Sequence, residues 1–433
     1  MNLCIKRCNR ITGEFSVGGD KSITHRCLIL GAIADGETKI YNFSHAEDCF
    51  STLKCLKSMG IEIYVGKECV SIKGKGVSGL KEPEDVLNCG NSGTTMRLLT
   101  GLLAGQEFYS VLTGDDSLRR RPMKRVIAPL RMMGAEIRSR KNSLAPLSIT
   151  GKKLKAIEYK LPVASAQVKS ALMLAGLYAD SETIIEEPIF TRDHTERLFD
   201  FFNIKFIKKE NKIIVYPAKN FPGRVVKIPN DISSAAFFIV LGILVAEKIV
   251  IKETGVNQLR CGIIEVLKEN GADITLTDIK QSFNEPIADI IVKKSEPSPF
   301  TISGSLVPRL IDEIPILVVL ATQLKGRSVI RNAEELRVKE TDRIKAICNE
   351  LNKLGADIEE IDDGLIINGP AKLKGAVCES YNDHRIAMAL AIAGLIAEGE
   401  TVIKNADCIN ISFPEFINIL SEVCGEEYIQ RKY

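Results

Sequence analysis

The amino-acid sequence predicts a mixed α/β protein of two similar domains, and three observations lead there. A short pattern of apolar helix end, glycine and β-type run recurs along the chain. Several helices are apolar nearly all round, so they must be buried against sheets. With 433 residues, 45% of them hydrophobic, the chain is too long for one ordinary core but apolar enough for two.

The repeat justifies the first point. Its copies read LKSMGIEIYV, LRMMGAEIRS, LKENGADITL and LNKLGADIEE, with glycine at Gly60, Gly134, Gly271 and Gly355. A degenerate copy, FDFFNIKFIK, has Asn203 in the glycine slot, and a looser one is INILSEVCGEEYIQ near the C-terminus. Glycine and asparagine tolerate the left-handed conformation that closes a helix, so each copy reads as helix, cap, strand. The spacing, roughly 70 to 85 residues, is too long for a solenoid and suits a βαβ-type unit. Six such units give three per domain. SAQVKSALMLAGLYA and SSAAFFIVLGILVA are the helices whose apolar residues leave no polar face. A boundary is expected near Pro229 and Asn230, ahead of the apolar helix that starts around Ile232.

Charge and cysteine usage exclude several classes. With 58 Lys and Arg against 55 Asp and Glu, the net charge is only +3, without the polybasic or acidic tract that a nucleic acid or membrane partner would call for. The 12 cysteines are scattered singly, with no CxxC pair and no zinc-ligand spacing, and read as reduced, small hydrophobes. No signal-type h-region opens the chain, and the stretch around Ala235 to Ala246 is too short to span a bilayer. A cytoplasmic enzyme is expected, with a monomer as the default.

Chemistry is concentrated at helix starts. In GGDKSITHR, Lys21, Ser22 and Arg26 open an apolar helix behind Gly18 and Gly19, a setting that suits an anion and equally suits an ordinary cap. NSGTTMR offers Asn91, Gly93 and Thr94 as small, backbone-exposing residues that can approach a phosphate closely. In LRRRPMKR, Pro122 at a first helical position would aim Arg121 outward, whereas Arg119 and Arg120 read as a solvated run. ASAQVKSA places Ser165, Ala166 and Gln167 at a helix start with Lys169 one turn in, and TRDHTE supplies Arg192, Asp193 and His194, the histidine as a structural hydrogen-bonder. LIDEIP puts Asp312 ahead of an apolar helix, as cap or as base. In RVKETDR, Lys339, Glu340 and Arg343 fall within one turn, as an anion site with a proton donor or as a charge ladder, and NDHRIAM sets Arg385 at a helix mouth behind Asn382 or Asp383. GKGVSG, Gly74 to Gly79, matches a dinucleotide pattern, but a polar, proline-interrupted stretch follows it instead of a helix.

DKSITHR, GNSGTTMR, RPM, ASAQVKSA, TRDHTE, LIDE, RVKETDR and NDHRIAM occur in the order and spacing of the 5-enolpyruvylshikimate-3-phosphate synthases, which this chain resembles over nearly its whole length. RPM and ASAQVKSA are similar to the branch often called class II. The resemblance implies an enolpyruvyl transferase fold: residues 1–14 and 229–433 as one domain, residues 15–228 as the other, each of three βαβαββ-type repeats. It implies no metal and no organic cofactor. Shikimate 3-phosphate would be held by Lys21, Ser22, Arg26, Ser165, Ala166, Gln167, Arg192, Asp312 and Lys339. Phosphoenolpyruvate would be held by Lys21, Gly93, Arg121, Gln167, Arg343 and Arg385. The activity implied is carboxyvinyl transfer to the 5-hydroxyl of shikimate 3-phosphate, a step of chorismate and aromatic amino acid biosynthesis. Asp312 would be the general base, Glu340 the acid at C3 and Lys21 a further proton carrier. The two substrates bring a charge of roughly −5 to −6, which Lys21, Arg26, Arg121, Arg192, Lys339, Arg343 and Arg385 would match, with substrate-driven closure. Two departures are visible: Ile411 stands where some members have a phosphoenolpyruvate-binding lysine, Lys404 not being its aligned replacement, and Glu335 stands where some have asparagine. The alternative is the sister enzyme acting on UDP-N-acetylglucosamine. That enzyme has asparagine where Ser22 follows Lys21, and a reactive cysteine that residues 117–120 lack.

Overall fold

A computed structural model of the chain describes residues 1–432 and divides into two compact units, residues 1–18, 229–280 and 286–432 in the first, residues 19–228 and 281–285 in the second. Two boundaries differ from the sequence reading. Phe15 and Val17 lie in the core of the first unit because Phe15 stacks edge-on against Phe238, with ring centroids 4.9 Å apart, and residues 281–285 belong to the second unit.

One repeat shows how the chain builds both units. The strand Leu87–Asn88 leads into the buried helix Gly93–Ala104, then the strand Tyr109–Thr113, the amphipathic helix Lys124–Met132, and a hairpin of Glu136–Arg140 and Leu144–Thr150. The first strand runs parallel to the second, which pairs antiparallel with Leu144–Thr150, which pairs antiparallel with Glu136–Arg140. All six four-stranded sheets follow this order, three in each unit. Three of them borrow a strand from elsewhere in the sequence. Val225–Lys227 lies parallel to Asp35–Tyr41, Ile11–Phe15 lies parallel to Ala246–Gly255, and Asn2–Lys6 is inserted antiparallel between Glu400–Lys404 and Ile429–Lys432.

The helix-closing positions are where the recurring pattern put them. Gly60, Gly134, Asn203, Gly271, Gly355 and Gly425 all have positive φ, between 59° and 108°, the region in which a β-carbon is costly for most residues. GKGVSG falls on the strand Cys69–Lys75 and the turn after it, and no helix follows it directly.

The first helix of each repeat is buried along most of its length. Ile232–Val245 has twelve buried residues in succession, from Ile232 to Ile243, among them Phe237 and Phe238. These helices occupy the middle of each unit, so hydrophobic residues on every side gain from removal from water, about 25 cal/mol for each Å² of apolar surface. Close approach is needed there: a β-carbon on Gly101 would lie 2.2 Å from the carbonyl oxygen of Ala171. Glycine therefore lets the helices Gly93–Ala104 and Ala166–Gly176 touch and fixes the ends that carry Gly93 and Gln167. No helix among the described residues is long and apolar enough to cross a membrane.

Candidate active site

Lys21, Gly93, Gln167 and Arg385 fall at the N-terminal ends of these helices and Arg343 opens the amphipathic helix Arg343–Lys353, and side chains hold the ends in place. Asp20 Oδ1 accepts from the Ile23 amide at 2.8 Å, Ser92 Oγ from Thr95 at 3.1 Å, and Ser165 Oγ from Val168 at 3.4 Å. Asp342 accepts from Lys345 at 3.1 Å and Asp383 from Arg385 at 2.8 Å. Each cap satisfies one amide and leaves the positive end of the helix dipole beside Lys21, Gly93, Gln167, Arg343 or Arg385.

In the second unit the side chains form several polar clusters. Lys21 Nζ is 2.8 Å from Asp48 Oδ2, and the Asp48 carbonyl accepts from Thr95 Oγ1 at 3.3 Å, in the first turn of the helix that Gly93 opens. Arg97 donates to Gln167 Oε1 at 2.6 Å, and Gln167 Nε2 donates to Thr94 Oγ1 at 2.9 Å, joining the Gly93 and Gln167 helices. Arg26 is buried and donates to Thr195 Oγ1, Ser170 Oγ and the Ser22 carbonyl at 2.7 to 2.8 Å. Burial, and then the charge of Arg192, hold the Arg26 guanidinium down to about 10. Two guanidinium groups close enough to repel are a site that an anion would relieve.

One reading changes here. Arg121 does not point outward from a helix start: it ends the short turn Leu118–Arg120, the helix begins only at Lys124, and the side chain is buried. Its Nη2 donates to Asn91 Oδ1 at 2.6 Å and Ser117 Oγ at 3.0 Å, so Asn91 and Arg121 form one clamp beside Gly93. Lys169 faces the interior, where it meets Glu196 at 2.7 Å and Glu187 at 3.1 Å. His194 shares a hydrogen bond of 2.7 Å between Nδ1 and Glu285 Oε1, in keeping with a structural role.

In the first unit Arg343 is the centre. Only 2% exposed, it donates from Nε to Asp383 at 2.8 Å, from Nη2 to Glu340 at 2.6 Å and from Nη1 to Asp312 at 3.5 Å. Burial opposes its charge, yet Asp383, Glu340 and Asp312 outweigh that and push the guanidinium above its usual range. Asp312 therefore serves no helix as a cap. The helix Ile314–Ala321 has Glu313 at its N-cap with no side-chain cap bond, and Asp312 turns to Arg343 instead. Lys339 and Glu340 lie just outside the helix, which begins at Arg343. Burial holds the Lys339 ammonium below its usual range, with Asp312 the main opposing influence. Arg385 is buried, donates to the Ser233 carbonyl at 3.1 Å and lies 5.9 Å from the Phe237 ring centroid. Ile411 packs against the core, and Lys404 is taken up by Glu379 at 2.8 Å on a strand edge. Sequence reasoning missed Asp48, Arg97 and the partnership of Arg343 with Asp383. The signal for Arg97 and Asp383 was their place in NSGTTMR and NDHRIAM, each at a helix start.

The EPSP synthase family model, described as 3-phosphoshikimate 1-carboxyvinyltransferase, matches residues 5–420. The chain belongs to the EPSP synthase family. It is 53% identical over 417 residues to the 3-phosphoshikimate 1-carboxyvinyltransferase of Thermoanaerobacter sp. strain X514, covering 96% of this chain and 98% of that one. It is 50% identical over 426 residues to that of Desulforudis audaxviator, covering 98% and 99%. An Acinetobacter baumannii EPSP synthase structure superimposes with a TM-score of 0.88 at 40% identity, covering all of both chains. As an EPSP synthase family member the chain is a transferase with the enolpyruvyl transferase fold, and the sugar-nucleotide alternative is not favoured.

Proposed function

We propose that this chain joins shikimate 3-phosphate to phosphoenolpyruvate through the residues described above. Lys21, Ser22, Arg26, Ser165, Ala166, Gln167, Arg192, Asp312 and Lys339 take shikimate 3-phosphate, and Lys21, Gly93, Arg121, Gln167, Arg343 and Arg385 take phosphoenolpyruvate. The observation that carries this assignment is the gathering of buried or half-buried cations at capped helix N-termini, where amides and dipole favour an anion.

The 5-hydroxyl oxygen attacks C2 of phosphoenolpyruvate while Asp312 takes its proton and C3 receives one from Glu340, giving a tetrahedral intermediate. Loss of a proton from C3 and of phosphate from C2 then leaves the enol ether. Asp312 and Glu340 both touch Arg343, which favours their charged forms; this suits a base directly, and suits a proton donor once an incoming anion competes for the guanidinium. A cytoplasmic setting belongs to the same reading, supported by twelve cysteines none of which is in a disulfide.

Phosphate release from phosphoenolpyruvate is measured with shikimate 3-phosphate, with UDP-N-acetylglucosamine and with neither. Release with shikimate 3-phosphate alone is expected, and release only with the sugar nucleotide would overturn the assignment.

A further inference from the structure

Arg260 lies outside the predicted site, on the turn before the helix Gly262–Glu269, and is almost completely buried. Its Nη1 donates to both oxygens of Glu313, at 2.9 and 3.1 Å. Its Nη2 donates to Ser233 Oγ, which itself donates to Glu313 Oε1, and lies 3.7 Å from Asp231 Oδ1. Glu313 is fully buried. Two charges have thus been taken out of water, a costly arrangement that a well-packed apolar pair would match or better. Glu313 also gives up the capping bond that its place before the helix Ile314–Ala321 would allow. A position that breaks two local rules together points to function.

The connections say which function. Ser233 receives Arg260 on its hydroxyl and Arg385 on its carbonyl, so the Arg385 guanidinium rests on a residue that Arg260 and Glu313 hold. Glu313 is the chain neighbour of Asp312, and anchoring it fixes the backbone from which Asp312 reaches Arg343. One ion pair therefore ties the starts of three buried helices, Ile232–Val245, Ile314–Ala321 and His384–Ile396.

We propose that Arg260 and Glu313 are positioning residues for the transfer, setting Asp312 and Arg385 at the reacting geometry without touching substrate. This rests on the roles given to Asp312 and Arg385 above.

The test replaces the pair as a unit, Arg260→Met with Glu313→Leu, which removes both charges of the pair and leaves Asp231 its bond from the Ser233 amide, and it is expected to keep the melting temperature within about 5 °C of the parent. If the pair positions the chemistry, kcat falls about 10- to 100-fold, the loss that a misplacement near 1 Å produces, while the Kd for shikimate 3-phosphate moves less than about threefold. Arg260→Lys keeps the charge but not the fork that spans Glu313 and Ser233, and should fall between parent and double variant in kcat. A folded double variant with the parent's kcat overturns the proposal, as does a kcat that drops only in proportion to the folded fraction. Should the double variant not fold, Arg260→Lys decides alone: parental kcat overturns the proposal, and a several-fold loss in a fully folded protein supports it. Asp312→Asn and Arg385→Ala are run alongside. Full turnover in those would sink the underlying site reading, whereas loss in those with full turnover in the folded double variant sinks this inference only.

Discussion

Replacing Lys169 by methionine removes the cation from a chamber that keeps two carboxylates. Lys169 is fully buried, with Nζ at 2.7 Å from Glu196, 3.1 Å from Glu187 and 3.3 Å from the Thr191 carbonyl. Burial opposes its charge, yet Glu196 and Glu187 together raise its affinity for the proton. In the variant at least one buried glutamate must take up a proton. From an ordinary glutamate value near 4.3, that costs about 3.7 kcal/mol at pH 7, since each pH unit is worth about 1.36 kcal/mol. This agrees with the roughly 3–5 kcal/mol seen when one partner of a buried pair is deleted. For a unit of this size it corresponds to a melting temperature lower by about 10 °C. The sign with pH is fixed: the folded-state value of the protonated glutamate lies above its unfolded value, so stability is present at low pH and lost as pH rises. The deficit should therefore shrink by about 2 kcal/mol between pH 7 and pH 5.5. The chain has no tryptophan, so urea unfolding is followed by far-ultraviolet circular dichroism at both pH values. Adding Glu187→Gln and Glu196→Gln should restore most of the loss. A deficit under about 1 kcal/mol, or one of equal size at both pH values, would refute the reasoning.

Glu340→Gln and Asp312→Asn should each lower kcat by about 10²- to 10⁴-fold while both substrates still bind, measured by steady-state kinetics beside calorimetry; full turnover would remove either group from the chemistry. Gly93→Ala puts a β-carbon 2.7 Å from Arg97 Nη1, and because Arg97 holds Gln167, the KM for phosphoenolpyruvate should rise more than that for shikimate 3-phosphate. Lys339 releases its proton more readily than an ordinary lysine, so affinity for shikimate 3-phosphate should weaken as pH rises from neutrality towards 10, and Lys339→Arg should flatten that profile in titration calorimetry. Tyr381 and Asn382 sit at φ of 55° and 54° just before Asp383, and Tyr381 donates to the buried Glu350 at 2.7 Å. Tyr381→Phe should loosen this turn and raise the KM for phosphoenolpyruvate with little change in melting temperature.

The parts of the fold that could be read from the residues are those governed by local physics. A left-handed residue must be glycine or asparagine more often than not, so the six helix ends announced themselves. Helices with no polar face could only be interior. Positions set by distant partners were less visible. Arg121 looked like a helix-start residue because Pro122 follows it, but Asn91, 30 positions earlier, draws it inward. Lys169, one turn into its helix, is drawn to the interior by Glu187 and Glu196, 18 and 27 positions on. Asp312 could have been a cap or a base from its spacing alone, and the contact to Arg343, 31 positions on, decides that it caps nothing. Arg260 and Glu313, 53 positions apart, carry no mark in the sequence that they meet.

The strand Asn2–Lys6 lies between Glu400–Lys404 and Ile429–Lys432, so once made it must wait until residues 400–432 follow. At typical synthesis rates of 5–20 residues per second, that wait is about 20–80 s. Residues 19–228 close their own three sheets well before, so synthesis gives the two units different ages. During the interval the apolar segment around Leu3 and Ile5 has no partner strand, and keeping it from other apolar surfaces is a task for a chaperone.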